Sequence, residues 1–267
     1  MAQKSEYDAW NAGEAYEAYM GRWSRLIAED FLAWLNPEPG LGWLDVGCGT
    51  GALSETILRR AAPRSLRAVD PSPGFVSYAA ANIHDPRVKF RSGSGTALPF
   101  DSGRFEALAS GLVLNFIDNQ RAALREFRRV LEPGGLLSFY VWDYPGGGMG
   151  VIDTFWAAAR ALDPEAANLD ESRRFPDCTR DGLAALCEGA GLAGAEVTAI
   201  ETTADFPDFV TFWAPFTLGA GPAPGYCKSL PPERQAALKD ELRRRLGGGG
   251  PISLPARAWA VRARIPD

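Results

Sequence analysis

A short apolar run that empties into alternating glycines constrains this chain more than any other feature. Residues Gly42-Trp43-Leu44-Asp45-Val46 read as a buried strand. Gly47-Cys48-Gly49-Thr50-Gly51 follows at once and opens a helix through Leu53, Ile57 and Leu58. Glycines in such a turn adopt conformations closed to other residues and let the backbone approach a ligand closely.

From that point strands and helices alternate. Pro63 separates the helix from a second strand, Leu66 to Val69, capped by Asp70. Further strands are expected at Val88-Lys89-Phe90, Phe105 to Leu114 and Leu136 to Trp142. Between the last two, residues 119–131 place Leu124, Phe127 and Leu131 on one face of a helix that Pro133-Gly134-Gly135 ends. A helix from Asp181 to Gly189 and strands at Ala195–Ile200 and Ala258–Arg264 complete the series. Repeated βαβ units fold as a doubly wound α/β structure, here a mostly parallel seven-stranded sheet whose ligands bind at the strand carboxyl ends.

Two segments lie outside the alternation. Residues 6–35 carry Tyr16, Tyr19, Trp23, Ile27, Phe31 and Leu35 at helical spacing, so residues 1–36 are expected to form a helical cap. Residues 204–256 combine Phe206, Phe209, Phe212, Trp213 and Phe216 with a Gly/Pro segment and a charged helix. An insertion of that length in a compact sheet calls for a job, and a lid over the substrate is expected. The core proper is then 41–203, with residues 257–267 as its final strand.

Charge and cysteine usage exclude several functions. A formal charge of −5 disfavours a nucleic-acid partner, and the arginines of 121–129 read as the solvated face of an amphipathic helix. The uncharged run from Phe209 to Cys227 is broken by prolines and glycines, which argues against a membrane span. The first residues lack the apolar stretch of a secretory leader. Cys48, Cys178, Cys187 and Cys227 stand far apart with no companion histidines, so neither a disulfide framework nor a metal site is expected, and a reducing cytoplasm fits. Oligomeric state stays open.

Gly47-Cys48-Gly49-Thr50-Gly51-Ala52 also fits the G-x-G-x-x-A fingerprint of nicotinamide-dependent enzymes. Asp45 argues otherwise. A carboxylate inside a strand end is costly unless a cation such as a ligand ammonium meets it, and a nicotinamide cofactor has no such group there.

With these motifs the chain resembles, over roughly residues 15–200, the class I methyltransferases that use S-adenosyl-L-methionine. The likeness is closest to the small-molecule branch that includes the quinone-biosynthesis enzymes. Leu98-Pro99-Phe100-Asp101, Phe105-Glu106 and Arg128-Arg129-Val130-Leu131-Glu132-Pro133-Gly134-Gly135 extend it. The resemblance implies a Rossmann-like fold and transfer of a methyl group to an O, N or C atom of a small organic acceptor. It assigns Asp45, Gly47 and Gly49 to the methionine portion and Asp70 to the ribose, with Pro71 also in the cofactor site and Cys48 expected to touch the cofactor through its backbone. Ser94, Gly95 and Thr96 fall to the adenine, and Ser110 and Gly111 to the wall of the cofactor site. Tyr19 and Arg22, in Tyr19-Met20-Gly21-Arg22-Trp23-Ser24, belong to the helix that folds over the cofactor, with Arg22 a partner for the methionine carboxylate.

Two positions depart from the family pattern: Ser94 stands where an aspartate usually meets the adenine, and Asn115 where related chains often carry histidine. Without that histidine, Asp143 and Tyr144 after the fifth strand are the candidate proton acceptors, with Asn115 orienting the acceptor. Trp142, Tyr144 and Trp213 are expected to contact substrate. A nicotinamide-dependent dehydrogenase and a non-catalytic S-adenosylmethionine-binding protein remain as alternatives.

Overall fold

The computed structural model describes residues 13–219 and 221–266, so the first twelve residues of the expected cap and Asp267 of the expected last strand lie outside the described residues. Two helical stretches, α1 (Gly13–Tyr16) and α2 (Arg22–Leu35), are joined by a π-helical turn at Glu17–Gly21. The expected stripe is the buried one: Tyr19, Trp23, Ile27, Phe31 and Leu35 all face inward. Asn36 ends α2 in the left-handed conformation, donating its backbone N–H to Leu32 O.

The alternating core follows, with β1 (Gly42–Val46), α3 (Ala52–Arg60), β2 (Ser65–Asp70), α4 (Pro73–Asn82), β3 (Val88–Ser92), β4 (Phe105–Gly111), α5 (Gln120–Val130) and β5 (Leu131–Trp142). Next come α6 (Gly150–Leu162), α7 (Glu171–Arg174), α8 (Arg180–Gly189), β6 (Glu196–Phe206), α9 (Phe209–Trp213), α10 (Pro222–Ser229), α11 (Pro232–Arg245) and β7 (Ile252–Arg264). The open sheet has the order β3-β2-β1-β4-β5-β7-β6. Its first five strands run parallel, and β7 is antiparallel to both β5 and β6. Chain order reverses between β1 and β4, where an open α/β sheet leaves a crevice beyond its strand ends.

Three boundaries differ from the sequence expectation. Strand β5 begins directly after α5, its Pro133-Gly134-Gly135 absorbed as an irregularity where the register passes from Phe105↔Leu131 to Ala107↔Leu136. Strands β6 and β7 pair from Glu196↔Arg262 to Phe206↔Ile252, so the excursion from the sheet spans 207–251 rather than 204–256. The threonine-rich stretch 201–204 favours a pleated edge, and Ala204 and Phe206 bury one face of it.

The excursion's aromatic residues form core. Phe206 meets Trp23 and Phe212, Phe212 meets Phe216, and Phe216 contacts Tyr19 while stacking on Phe155 of α6 at 4.6 Å. They join α2, α6 and β6 into one apolar layer continuous with the sheet, which Phe31 reaches through Tyr140 at 4.6 Å.

Candidate active site

The glycine turn after β1 is tied to β2. Gly47 and Cys48 both donate backbone N–H to Val69 O, at 2.7 and 3.0 Å. Gly47 has φ +76°, and a Cβ there would fall 2.5 Å from Val113, so both conformation and space demand glycine. Gly49 has φ +52° with no heavy atom within 4 Å of a Cβ position. Asp70 ends β2 beside it, accepting N–H bonds from Gly49 at 3.0 Å and Ser72 at 2.8 Å. Burial raises the Asp70 carboxyl, and those two backbone donors oppose the rise.

Asp45, in β1 two residues before Gly47, is fully buried. Its Oδ2 accepts the Ser54 hydroxyl at 2.6 Å, whereas Oδ1 has no hydrogen-bond partner. Burial lifts its pKa to about 7; the Ser54 bond opposes the shift and the charge of Asp70 adds to it. A buried carboxylate oxygen left unpaired next to an open glycine turn is the arrangement an incoming ammonium would satisfy. S-adenosylmethionine carries that group, so the residues present fit this cofactor.

The other positions implied by the resemblance divide by place. The Ser110 hydroxyl is committed to Val46 O at 2.7 Å, and Gly111 is where Tyr140 comes within 2.5 Å of a Cβ position, so both small residues serve the β1–β4–β5 packing. Ser94 and Thr96 share a hydroxyl contact of 3.0 Å at the surface, and Gly95 lies against Ile117. In the cap, Tyr19 is buried with its hydroxyl unpartnered. Tyr16 bonds Ser24 at 3.0 Å and sets its ring edge against Phe75. Arg22 points elsewhere: its exposed guanidinium donates to the backbone oxygen of Asp205 on β6. Glu17, which the sequence did not single out, accepts the Thr50 hydroxyl and pairs with Arg25, joining the π-helical turn to the glycine turn.

A cavity of about 990 Å³ is bordered by Pro71, the residue after Asp70. Its walls are residues 114–121, from the end of β4 into α5, and residues 173–186 of α7, α8 and the connection between them. Asn115 is 4% exposed and its Nδ2 has no partner. Phe116 and Phe175 face each other edge-on at 5.1 Å, and Tyr144 supports Phe175 from behind at 5.5 Å. Cys178 also lines the cavity, its thiol pushed up to about 12 by burial and by the neighbouring Asp177 and Asp143 charges.

The remaining candidates lie off this cavity. Asp143 is 1% exposed and locked by Arg257, whose Nε donates at 2.6 Å, and by the Gly146 N–H at 3.0 Å. The structure thus places this candidate proton acceptor in an ion pair at the turn after β5. Tyr144 is buried and its phenol held well above the ordinary range, by burial first and then by the charge of Glu171. Trp142 is buried at the end of β5. Trp213 packs on Phe216 beneath Lys239, inside the 207–251 excursion and away from the cavity, because the apolar layer under α11 claims it. Among the described residues no group of three His, Cys, Asp or Glu side chains is placed to hold a metal ion.

An open sheet of this order, with an acid two residues before the glycine turn and another ending the next strand, agrees with the resemblance to class I methyltransferases. Residues 44–139 match the family described as Methyltransferase domain. A ubiquinone/menaquinone biosynthesis C-methyltransferase from Cereibacter sphaeroides is 29% identical over 65% of this chain and 73% of its own length. A demethylmenaquinone methyltransferase from Renibacterium salmoninarum is 32% identical over 46% and 49%. Among solved structures, a putative methyltransferase from Bacillus halodurans shares the fold with TM-score 0.58 at 18% identity, covering 90% of this chain and 99% of that one. The chain thus carries a methyltransferase domain over residues 44–139, and it is similar to the quinone-biosynthesis methyltransferases. A phosphoethanolamine N-methyltransferase from Haemonchus contortus that shares the fold, with TM-score 0.62 at 13% identity over 99% of this chain and 61% of that one, is in complex with S-adenosyl-L-methionine.

Proposed function

We propose that this methyltransferase acts on a small organic acceptor held in the cavity between residues 114–121 and 173–186. The observation that carries this reading is the place of Pro71: it lines the cavity and directly follows Asp70, whose carboxylate accepts the Gly49 N–H of the glycine turn at 3.0 Å.

When bound, the cofactor supplies a methyl group on a sulfonium. Asp45 would receive its ammonium, with Gly47, Cys48 and Gly49 presenting backbone around the methionine portion. Asp70, already oriented by two backbone donors, would take the ribose hydroxyls beside Pro71, and Ser94, Gly95 and Thr96 would border the adenine. Tyr19 closes the site from the cap. Methyl transfer is an in-line displacement, so orientation and exclusion of water matter more than acid catalysis. The buried amide of Asn115 is suited to orient the acceptor, and with Asp143 committed to Arg257, geometry rather than a strong base supplies the acceleration.

The four free, buried cysteines support a reducing compartment, and no described helix is long and apolar enough to cross a membrane. The test is calorimetry with S-adenosylmethionine, its demethylated product and NAD, followed by methyl release over an acceptor panel. S-adenosylmethionine should bind and NAD should not. Asp70→Ala should weaken binding by about 2–4 kcal/mol, because charge-assisted hydrogen bonds contribute about 1.5–3 each. An unchanged affinity would remove Asp70 from the ribose.

A further inference from the structure

We propose that the acceptor is an anion: an apolar, planar body carrying a carboxylate or phosphate that the cavity binds at its arginine-lined rim. The inference rests on reading the cavity as the acceptor site.

The cavity's polar equipment consists mainly of donors. Asn115 supplies an unpartnered, buried NH₂ at the inner wall. Arg121 on α5, and Arg173 and Arg174 on α7, contribute three guanidinium groups from two facing walls. Arg174 is only 9% exposed and lies over the Phe175 ring at 5.0 Å. Neither Arg121 nor Arg173 has an ion-pair partner among the described residues. The first turns of α5 and α8 also border the cavity, and a helix start favours negative charge. Asp118 and Asp177 also line the cavity. The apolar lining is planar in character, with Phe116 and Phe175 set edge to face.

This accounts for a feature the sequence left as solvated charge. Arg121 heads the series continued by Arg125, Arg128 and Arg129. Arg129 is consumed by Glu126 and Arg128 reaches Gly191 O, whereas Arg121 lines the cavity with its guanidinium beside Gly189 of α8. A guanidinium meets a carboxylate or phosphate in a planar, bidentate manner, and an ammonium-bearing acceptor would find the same rim repulsive.

The experiment measures binding of 2-naphthoate, 2-naphthyl phosphate and the neutral isostere 2-naphthamide by calorimetry, using protein saturated with S-adenosylhomocysteine. At least one anion should bind roughly tenfold or more tighter than the amide and weaken as salt is added, and the stronger anion identifies the acid. In the Arg121→Ala/Arg173→Ala double variant that preference should fall to about threefold or less, while affinity for S-adenosylhomocysteine stays as in wild type. Equal binding of amide and anions, absence of anion binding, or a preference that survives the double variant would each overturn the proposal. Failure of S-adenosylhomocysteine to bind wild-type protein would instead overturn the cofactor assignments, and the same three probes, run without nucleoside, would still report the charge preference.

Discussion

Asp143 and Arg257 lock the turn after β5 to the middle of β7. The guanidinium donates to Asp143 Oδ2 through Nε at 2.6 Å and to Gly146 O through Nη2 at 3.0 Å, and the Gly146 N–H returns to Asp143 Oδ1. The carboxylate is almost fully buried, and the side chain of its partner is about one-third exposed. Asp143→Asn should therefore cost about 2–4 kcal/mol of stability, less than a wholly buried pair because Arg257 remains partly solvated. Turnover per folded molecule should keep its wild-type pH profile across pH 6–9. Denaturant unfolding alongside kinetics checks both, and a flattened pH profile in a stable variant would return Asp143 to proton transfer.

Asp45 links cofactor binding to protons. Its pKa of about 7 lies above the ordinary carboxylate value, so the free folded protein binds this proton more tightly than the unfolded chain. The resulting stability is complete at low pH and is lost as pH rises through about 7. An ammonium requires the ionised form. Affinity for S-adenosylmethionine should then fall by close to tenfold per pH unit below about 7, with proton release on binding. Asp70, Cys48 and Tyr140 face the same carboxylate, so Asp45→Asn is the control. It should bind more weakly at pH 8 and lose most of the slope. A wild-type affinity that is flat from pH 5.5 to 8 contradicts the linkage.

Asn115 separates function from folding cleanly. Replacing an unpartnered buried amide with an apolar group of similar size costs the fold little and can stabilise it. Asn115→Leu should hold Tm within a few degrees and leave cofactor binding intact, yet lower kcat/KM for the accepted substrate by about tenfold or more, the loss expected for one orienting hydrogen bond. Wild-type turnover in that variant would remove Asn115 from the acceptor site.

Phe216 tests whether the excursion is lid or core. With contacts to Tyr19, Phe155, Phe212 and Trp213, Phe216→Ala should destabilise by about 3–5 kcal/mol and lower activity only in proportion to the folded fraction. Thermal melts and activity measured well below Tm make the comparison. A stable variant with crippled turnover would restore the lid.

What the sequence revealed follows from distance along the chain. The β1 strand, the glycine turn and Asp70 fall within 30 residues, where apolar runs, glycine spacing and chain reversals speak for themselves. The cavity does not, because its walls are more than 50 residues apart and neither Phe116 nor Phe175 carries a local signal. The same limit hid the ion pair of Asp143: its place after β5 suggested chemistry, but Arg257 lies 114 positions away. Aromatic density in the excursion was equally ambiguous, since lids and cores both use phenylalanine, and only the arrival of Phe155 and Trp23 decides between them.

Because β7 lies between β5 and β6, synthesis runs ahead of architecture. Residues 196–206 emerge from the ribosome with no sheet neighbour to join, since their pairing partner is residues 252–264. The turn after β5 waits as well, its Asp143 unanswered until Arg257 is made. A nascent chain halted before position 252 can assemble the five parallel strands and the glycine turn, but it leaves one edge of β5 bare and the β5 turn unlocked. Such an edge is prone to pair with other chains. Truncated products should therefore aggregate rather than accumulate as cofactor-binding fragments.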